Sequence, residues 1–268
     1  MPPMAERYIH GHHPSVLQGH RWRTAENAAA YLLPNLATRA SVLDVGCGPG
    51  TITRDFATLV APGRVVGMDR SQEIVAAAAA EFSDRANLEF VAGDVYELPF
   101  PSGTFDIVHA HQVLQHLEQP VTALREMARV CRPGGLVAVR DVDYASLIWS
   151  PADPLLDRWL ALYHEVALRA AGEPDAGRHL PEWFARAGLE DVAVTSSTWT
   201  FTDLETRQWW GSSWAGRARE SDFAHQAIDA GLSTATELDG IAQAWRSWAD
   251  APVGLLAMIH VEVIATIH

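Results

Sequence analysis

Between residues 41 and 144 the chain alternates short apolar runs with stretches of helical periodicity. Five runs read as strands: 41–45, 64–68, 88–91, 105–110 and 136–140, each rich in Val, Ile, Leu or Phe. They lack the polar alternation of a half-exposed strand and suit a parallel sheet covered on both faces. Between them, 51–60, 72–82 with its five consecutive alanines, and 120–131 read as helices. The last is expected to bury Val121, Leu124, Ala128 and Cys131 on one face. Strands alternating with helices connect by right-handed crossovers and wind a sheet in both directions.

After Tyr144 the texture changes. Residues 153–171 read as an amphipathic helix with a stripe of Leu156, Trp159, Leu160, Tyr163, Val166, Ala167 and Ala170. A helix over 182–187 is stopped by Gly188 and leads into a strand over 189–196. An aromatic helical insert follows from 203 to about 250, closed by Ala251-Pro252. The final segment alternates, with Ile259, Val261, Val263, Ala265 and Ile267 opposite His260 and Glu262. It predicts a closing strand with unequal faces, running antiparallel. The chain thus divides into an N-terminal arm (1–36) with a helix at 25–33, an α/β core (37–148), and remaining strands carrying cap inserts at 150–180 and 203–250 (149–268). Breaks at Pro151, Gly172 and Pro252 would let the inserts move as lids. No internal repeat occurs.

Composition narrows the chemistry. The net charge of −13 argues against a nucleic-acid partner, whose phosphates are bound through Lys and Arg. All 20 basic residues are Arg. The absence of Lys removes Schiff-base catalysis, a phosphate-loop Lys and the Tyr-x-x-x-Lys pair of short-chain dehydrogenases. Cys47 and Cys131 are too far apart in sequence and too apolar in setting to suggest a disulfide framework or zinc spacing. No signal peptide and no membrane-spanning run of about 18 apolar residues is read, so a soluble, cytoplasmic protein is expected. His10, His12 and His13 lack a further ligand at metal spacing; that arm, with Tyr8, is expected to fold over the site without metal.

The segment Val42-Leu43-Asp44-Val45-Gly46-Cys47-Gly48-Pro49-Gly50-Thr51 runs from a strand through a glycine turn into a helix. Glycines let a ligand approach the main chain, and the helix start offers free N–H groups. A dinucleotide fingerprint has its third Gly where Thr51 stands, and Asp44 is a poor neighbour for pyrophosphate but suits a cationic amino-acid group. The next strand ends in Gly67-Met68-Asp69-Arg70-Ser71, placing Asp69 where a carboxylate can accept both ribose hydroxyls. The third ends in Ala92-Gly93-Asp94-Val95, with Asp94 set to meet an adenine amine. The fourth runs Phe105-Asp106-Ile107-Val108-His109-Ala110-His111, and the fifth follows Arg132-Pro133-Gly134-Gly135.

Together these segments, over about residues 36–145, resemble class I S-adenosylmethionine methyltransferases, most closely the ubiquinone/menaquinone-biosynthesis C-methyltransferases. The resemblance implies a doubly wound seven-stranded sheet of order 3-2-1-4-5-7-6, strand 7 antiparallel, with a helical cap. It implies that Gly46, Gly48 and Gly50 surround the methionine part of S-adenosylmethionine, Asp69 the ribose, Asp94 and Val95 the adenine, and His111 the sulfonium. Arg70, Gly93 and Ala110 belong to the same motif ends, and Arg23 is the expected partner of the cofactor carboxylate. Asp44 either caps the glycine turn or orders the cofactor ammonium through water.

A small-molecule acceptor, aromatic or otherwise apolar, is expected. Nine of the ten tryptophans follow the core, and they suggest a cap with an aromatic inner wall. Base candidates are His111, Asp141, Asp143, Tyr144 and His164, with His164 equally readable as structural. Rival readings are a nicotinamide dehydrogenase, disfavoured by Thr51 and the missing Lys; a methyltransferase of RNA or protein, disfavoured by the acidic charge; and a fold member that binds cofactor without transferring methyl. Carbon, nitrogen and oxygen all stay open as the methylated atom, and the oligomeric state is unassigned.

Overall fold

The structure, a computed structural model, describes residues 19–268. Strands β1 (Val42–Val45), β2 (Val65–Asp69), β3 (Leu88–Ala92), β4 (Phe105–His111) and β5 (Cys131–Val142) run parallel in the order 3-2-1-4-5. Three more follow: β6 (Ile148–Ser150), β7 (Val192–Phe201) and β8 (Leu255–Thr266). β8 lies antiparallel to β5, from Leu136 opposite Thr266 to Val142 opposite His260, and its other edge pairs antiparallel with β7. β6 pairs with the start of β8 on the β5 side. This is the expected doubly wound order, with β7 and β8 as sixth and seventh strands and β6 as an addition.

The apolar runs behave as a two-sided sheet requires. β1 is buried throughout, and β2 and β4 nearly so, whereas the edge strand β3 is half exposed. One face is covered by α1 (Ala25–Ala28), α2 (Thr51–Leu59) and the cap helices α5 (Pro154–Arg169), α7 (Leu204–Glu220), α8 (Asp222–Asp229) and α9 (Ala235–Asp250). The opposite face packs on α4 (Pro120–Val130) and α6 (Ala176–Ala187), and α3 (Gln72–Glu81) connects β2 to β3. Helix starts follow local chemistry: Ser71, Asp153, Asp203 and Thr234 each accept a backbone N–H of the first turn. Gly188 ends α6 with φ 86°, as its position predicted.

Several expectations need correction. The helix expected at 25–33 is only Ala25–Ala28, followed by a 3-10 turn at Leu33–Asn35. α4 buries Ala123, Leu124, Met127 and Val130, a face rotated from the expected one. On α5, Leu162 joins the buried stripe while Leu160 is half-buried. α6 begins before Pro181, a residue that normally marks a helix start. β7 runs on to Phe201, past the expected end at 196. The antiparallel closing strand is as expected, and the structure adds which face is covered: His260 and Glu262 are buried (0% and 4% exposed) while Ile259 is 42% exposed. The polar side of β8 faces inward under the cap, where it meets Arg140.

Candidate active site

A cavity of about 1120 Å³ opens at the carboxyl ends of β1, β2 and β4, the crevice where open α/β sheets bind ligands. Its first wall is main chain. Gly46, Gly48 and Gly50 all have positive φ (66°, 53° and 79°), a conformation costly for side-chain-bearing residues. The two outer glycines are also hemmed in: a Cβ on Gly46 would meet Val113 at 2.4 Å, and one on Gly50 would meet Phe90 at 2.6 Å. A Cβ on Gly48 would find nothing nearer than His20 Nδ1 at 3.9 Å, so at this residue the main chain lies open to a ligand. Asp69 secures the loop by accepting the Gly48 N–H (3.1 Å) and the Ser71 N–H (3.0 Å), and it lines the cavity with Arg70. Gly93, Asp94 and Val95 continue the wall, Asp94 also accepting the Tyr96 N–H at 2.9 Å.

Asp44 lies at the back of this wall. Its carboxylate accepts from Thr53 Oγ1 (2.6 Å) and from His109 Nδ1 (2.8 Å), which fixes the helix start to the sheet. Ala110 is fully buried within the sheet and does not line the cavity. Tyr8 lies outside the described residues.

The second wall is aromatic and charged. His111 is 5% exposed and lines the cavity, and neither ring nitrogen has a hydrogen-bond partner among the described residues. Burial holds its pKa well below the usual histidine range, helped by the positive charges of Arg23 and Arg140, so the ring is neutral. Arg23 donates to Gln112 Oε1, and the Gln112 amide bonds His260 at 2.8 Å. Gln112 itself has φ 53°, unusual for a residue with a side chain. Tyr144 lines the cavity and stacks on Tyr163, ring centroids 4.1 Å apart. Trp199, Trp210 and Met258 complete the floor.

Beneath the floor a polar row crosses the sheet. His111 is the register partner of Arg140, Arg140 of Glu262, and Glu262 of Thr195. Arg140 Nε pairs with Glu262 at 3.2 Å and its Nη2 donates to Ser197 Oγ at 3.0 Å. Burial lowers the Arg140 pKa to about 10.

The remaining base candidates separate. Asp141 is fully buried and does not line the cavity; burial pushes its pKa up to about 8, against the N–H groups of Gln115 and Leu114. Asp143 is clamped by both Nε and Nη2 of Arg178. His164 also lies away from the cavity, its ring held between Leu160 O (2.8 Å) and Asp175 (3.0 Å).

The tryptophans divide. Trp159, Trp214, Trp245 and Trp248 are at most 2% exposed and pack on one another as the core of the cap, Trp159 meeting Trp214 at 4.5 Å and Trp245 at 4.8 Å. Of the ten, Trp199 and Trp210 reach the cavity, so the aromatic inner wall is smaller than expected. The 150–180 insert contributes no lining residue, whereas the 203–250 insert contributes Arg217 and the polar side of α8 (Asp222, His225, Gln226, Asp229). Trp199 was missed because its strand was ended at 196; the alternation Thr198-Trp199-Thr200-Phe201 carried the signal. Among the described residues no group of His, Cys, Asp or Glu is placed to hold a metal, and no helix is long and apolar enough to cross a membrane.

Residues 43–139 match a family described as a methyltransferase domain. An uncharacterized methyltransferase of Schizosaccharomyces pombe is 34% identical, the alignment covering 96% of this chain and 95% of that one. A demethylmenaquinone methyltransferase of Lactococcus lactis is 36% identical over 59% of this chain and 68% of its own. In fold, the chain is similar to a Haemonchus contortus phosphoethanolamine N-methyltransferase solved with S-adenosylhomocysteine (TM-score 0.54, 16% identity, covering 89% of this chain and 52% of that one). The open main chain at Gly48 and the carboxylate at the end of β2 fit S-adenosylmethionine as the cofactor. The chain is an enzyme and belongs to the S-adenosylmethionine-dependent methyltransferases.

Proposed function

We propose that the enzyme methylates a small aromatic or otherwise apolar molecule, held against Trp199, Trp210 and Tyr144 with its reacting atom beside His111. The observation that carries this reading is the continuity of the cavity, which runs from the glycine loop to an aromatic floor within one 1120 Å³ space. Single-ligand pockets measure about 300–1,000 Å³, so this space suits a cofactor and a small acceptor together. In this arrangement Gly46, Gly48 and Gly50 adjoin the methionine part, Asp69 the ribose, and Gly93, Asp94 and Val95 the adenine. Arg23 meets the cofactor carboxylate, while Asp44 acts indirectly through Thr53 and His109. The acceptor attacks in line, and the protein contributes orientation and a dry site. Neutral His111 is the residue suited to take a proton from the acceptor.

The net charge of −13 supports a small molecule over a nucleic acid. Two free, distant cysteines agree with a reducing cytoplasm. The test is incubation with S-adenosylmethionine and a panel of aromatic metabolites, read by mass spectrometry. A one-methyl mass gain with S-adenosylhomocysteine formed in equal amount is expected. Methylation of RNA or protein substrates with none of the panel would overturn the small-molecule reading.

A further inference from the structure

Arg39, Gln112 and Ala171 are the non-glycine residues with positive φ among the described residues, and of these Gln112 lines the cavity. Its φ of 53° lies in a region that Gly or Asn enters more readily than Gln, and such an outlier persists where its surroundings over-determine it. Here the ties are explicit. The Gln112 N–H donates to Arg140 O at 2.8 Å, one step beyond the last register pair of β4 and β5, His111 opposite Arg140. Its side chain then spans from the N-terminal segment to β8: Oε1 accepts from Arg23 Nη2, and the amide nitrogen meets His260 Nε2 at 2.8 Å. The His260 and Trp199 rings have centroids 4.3 Å apart, and the Arg23 guanidinium lies 5.8 Å from the centre of that same Trp199 ring. The four residues therefore close a circuit. Arg23, Gln112 and Trp199 line the cavity, and His260 is fully buried behind them.

The circuit has a fixed direction. A guanidinium offers donors and no acceptor, so the amide oxygen of Gln112 faces Arg23 and its NH2 group faces His260. His260 is neutral, held so by burial and by the positive charges of Arg140 and Arg23. A neutral imidazole that accepts at Nε2 carries its proton on Nδ1. Through one amide, Arg23 thus sets the tautomer of His260. We propose that Gln112 is a positioning residue that joins the two ends of the cavity: it holds Arg23 for the cofactor carboxylate and, with the same amide, holds His260 as the Nδ1-protonated tautomer behind Trp199. The proposal rests on the reading of Arg23 as the carboxylate's partner and adds the residue through which the aromatic floor answers to the cofactor. It also accounts for a long amide side chain at a backbone position where Gly or Asn would sit more easily.

The test compares Gln112→Ala, which keeps the backbone strain and loses the amide, with Gln112→Gly, which loses both. The glycine variant should melt higher than the alanine variant, because glycine enters this backbone region freely. Both should bind S-adenosylhomocysteine at least about tenfold more weakly than the wild type in calorimetry, the effect of a lost hydrogen bond to a charged group. Affinity that follows stability instead, recovering from alanine to glycine, would make Gln112 a structural residue and overturn the proposal, as would wild-type affinity in both variants. The second readout is nitrogen NMR of histidine-labelled enzyme, with the His260 signals assigned through His260→Gln. The wild type should show the Nδ1–H tautomer, Gln112→Ala a mixture, and Gln112→Glu, whose carboxylate only accepts, a proton on Nε2. An Nε2–H tautomer in the wild type would overturn the proposal. If the alanine variant does not fold, the glycine variant and the wild-type tautomer carry the test. Arg23→Gln separates the two claims. Normal S-adenosylhomocysteine binding by Arg23→Gln, or none by the wild type, removes the carboxylate reading and the proposal with it. A loss at Arg23 with none in the Gln112 variants removes the proposal alone.

Discussion

At the glycine end of the cavity the walls are main chain, and at the far end they are rings and buried charges. The first end comes from residues 44–51 and the tips of β2 and β3, so its geometry follows from local requirements such as positive φ at Gly48. The second is assembled from β4, β7, β8, the turn after β5, the cap and the segment around Arg23, which the fold alone brings together. The contrast teaches that the two ends are specified differently: the glycine end answers local backbone demands, whereas the proposed acceptor end is built from long-range contacts. The cap tryptophans repeat the division on a smaller scale, with Trp159 buried among rings and Trp210 at the cavity edge.

That division predicts its largest effect at Trp159. Trp159→Ala should lower stability by about 3–5 kcal/mol in chemical denaturation, the usual cost of deleting a buried large ring. Trp210→Ala should cost clearly less and instead impair turnover. Equal stability losses at the two positions would erase the distinction between cap core and cavity wall. At the main-chain end, Asp69→Ala should weaken S-adenosylhomocysteine binding by about tenfold to a hundredfold, from lost hydrogen bonds to a charged group of about 1.5–3 kcal/mol. Unchanged affinity in a folded variant would reduce Asp69 to a tie for the glycine loop.

Asp141 gives a smaller, pH-dependent effect. Its pKa is raised in the folded state to about 8 from the ordinary 3.8, so between those values the native protein holds a proton that the unfolded chain has released. Its contribution to stability is therefore greatest below pH 4 and declines as pH rises toward 8, at most by about 1.4 kcal/mol per unit. Asp141→Asn should remove that decline, so the variant gains on the wild type as pH rises through this window. A stability difference that is flat with pH would contradict the burial argument. The smallest effect belongs to His164→Gln, which loses the contact with Asp175 and should cost less than about 1 kcal/mol. Turnover and cofactor affinity should hold; a tenfold fall in turnover would return His164 to the site.

The sheet and the glycine wall of the cavity were readable because each strand is a continuous apolar run and each glycine answers a local backbone demand. The aromatic end was harder for specific reasons. Alternation in β8 marks His260 and Glu262 as polar but does not say whether water or Arg140 faces them, and here it is Arg140. Trp199 lay past a strand end drawn too early, and Gln112 acquires its role from Arg23 and His260, both distant in sequence. His164 was ambiguous as a base because its partner Asp175 sits across a turn that periodicity does not describe.

The central claim, a cofactor end of main chain joined to an acceptor end of rings, is tested most directly by a crystal structure with S-adenosylhomocysteine. The account predicts adenosine between Asp69 and Asp94, the sulfur within about 4 Å of the His111 side of the cavity, and open space bounded by Tyr144, Trp199 and Trp210. An adenine ring lodged among those aromatic residues, or a sulfur turned away from His111, would contradict it.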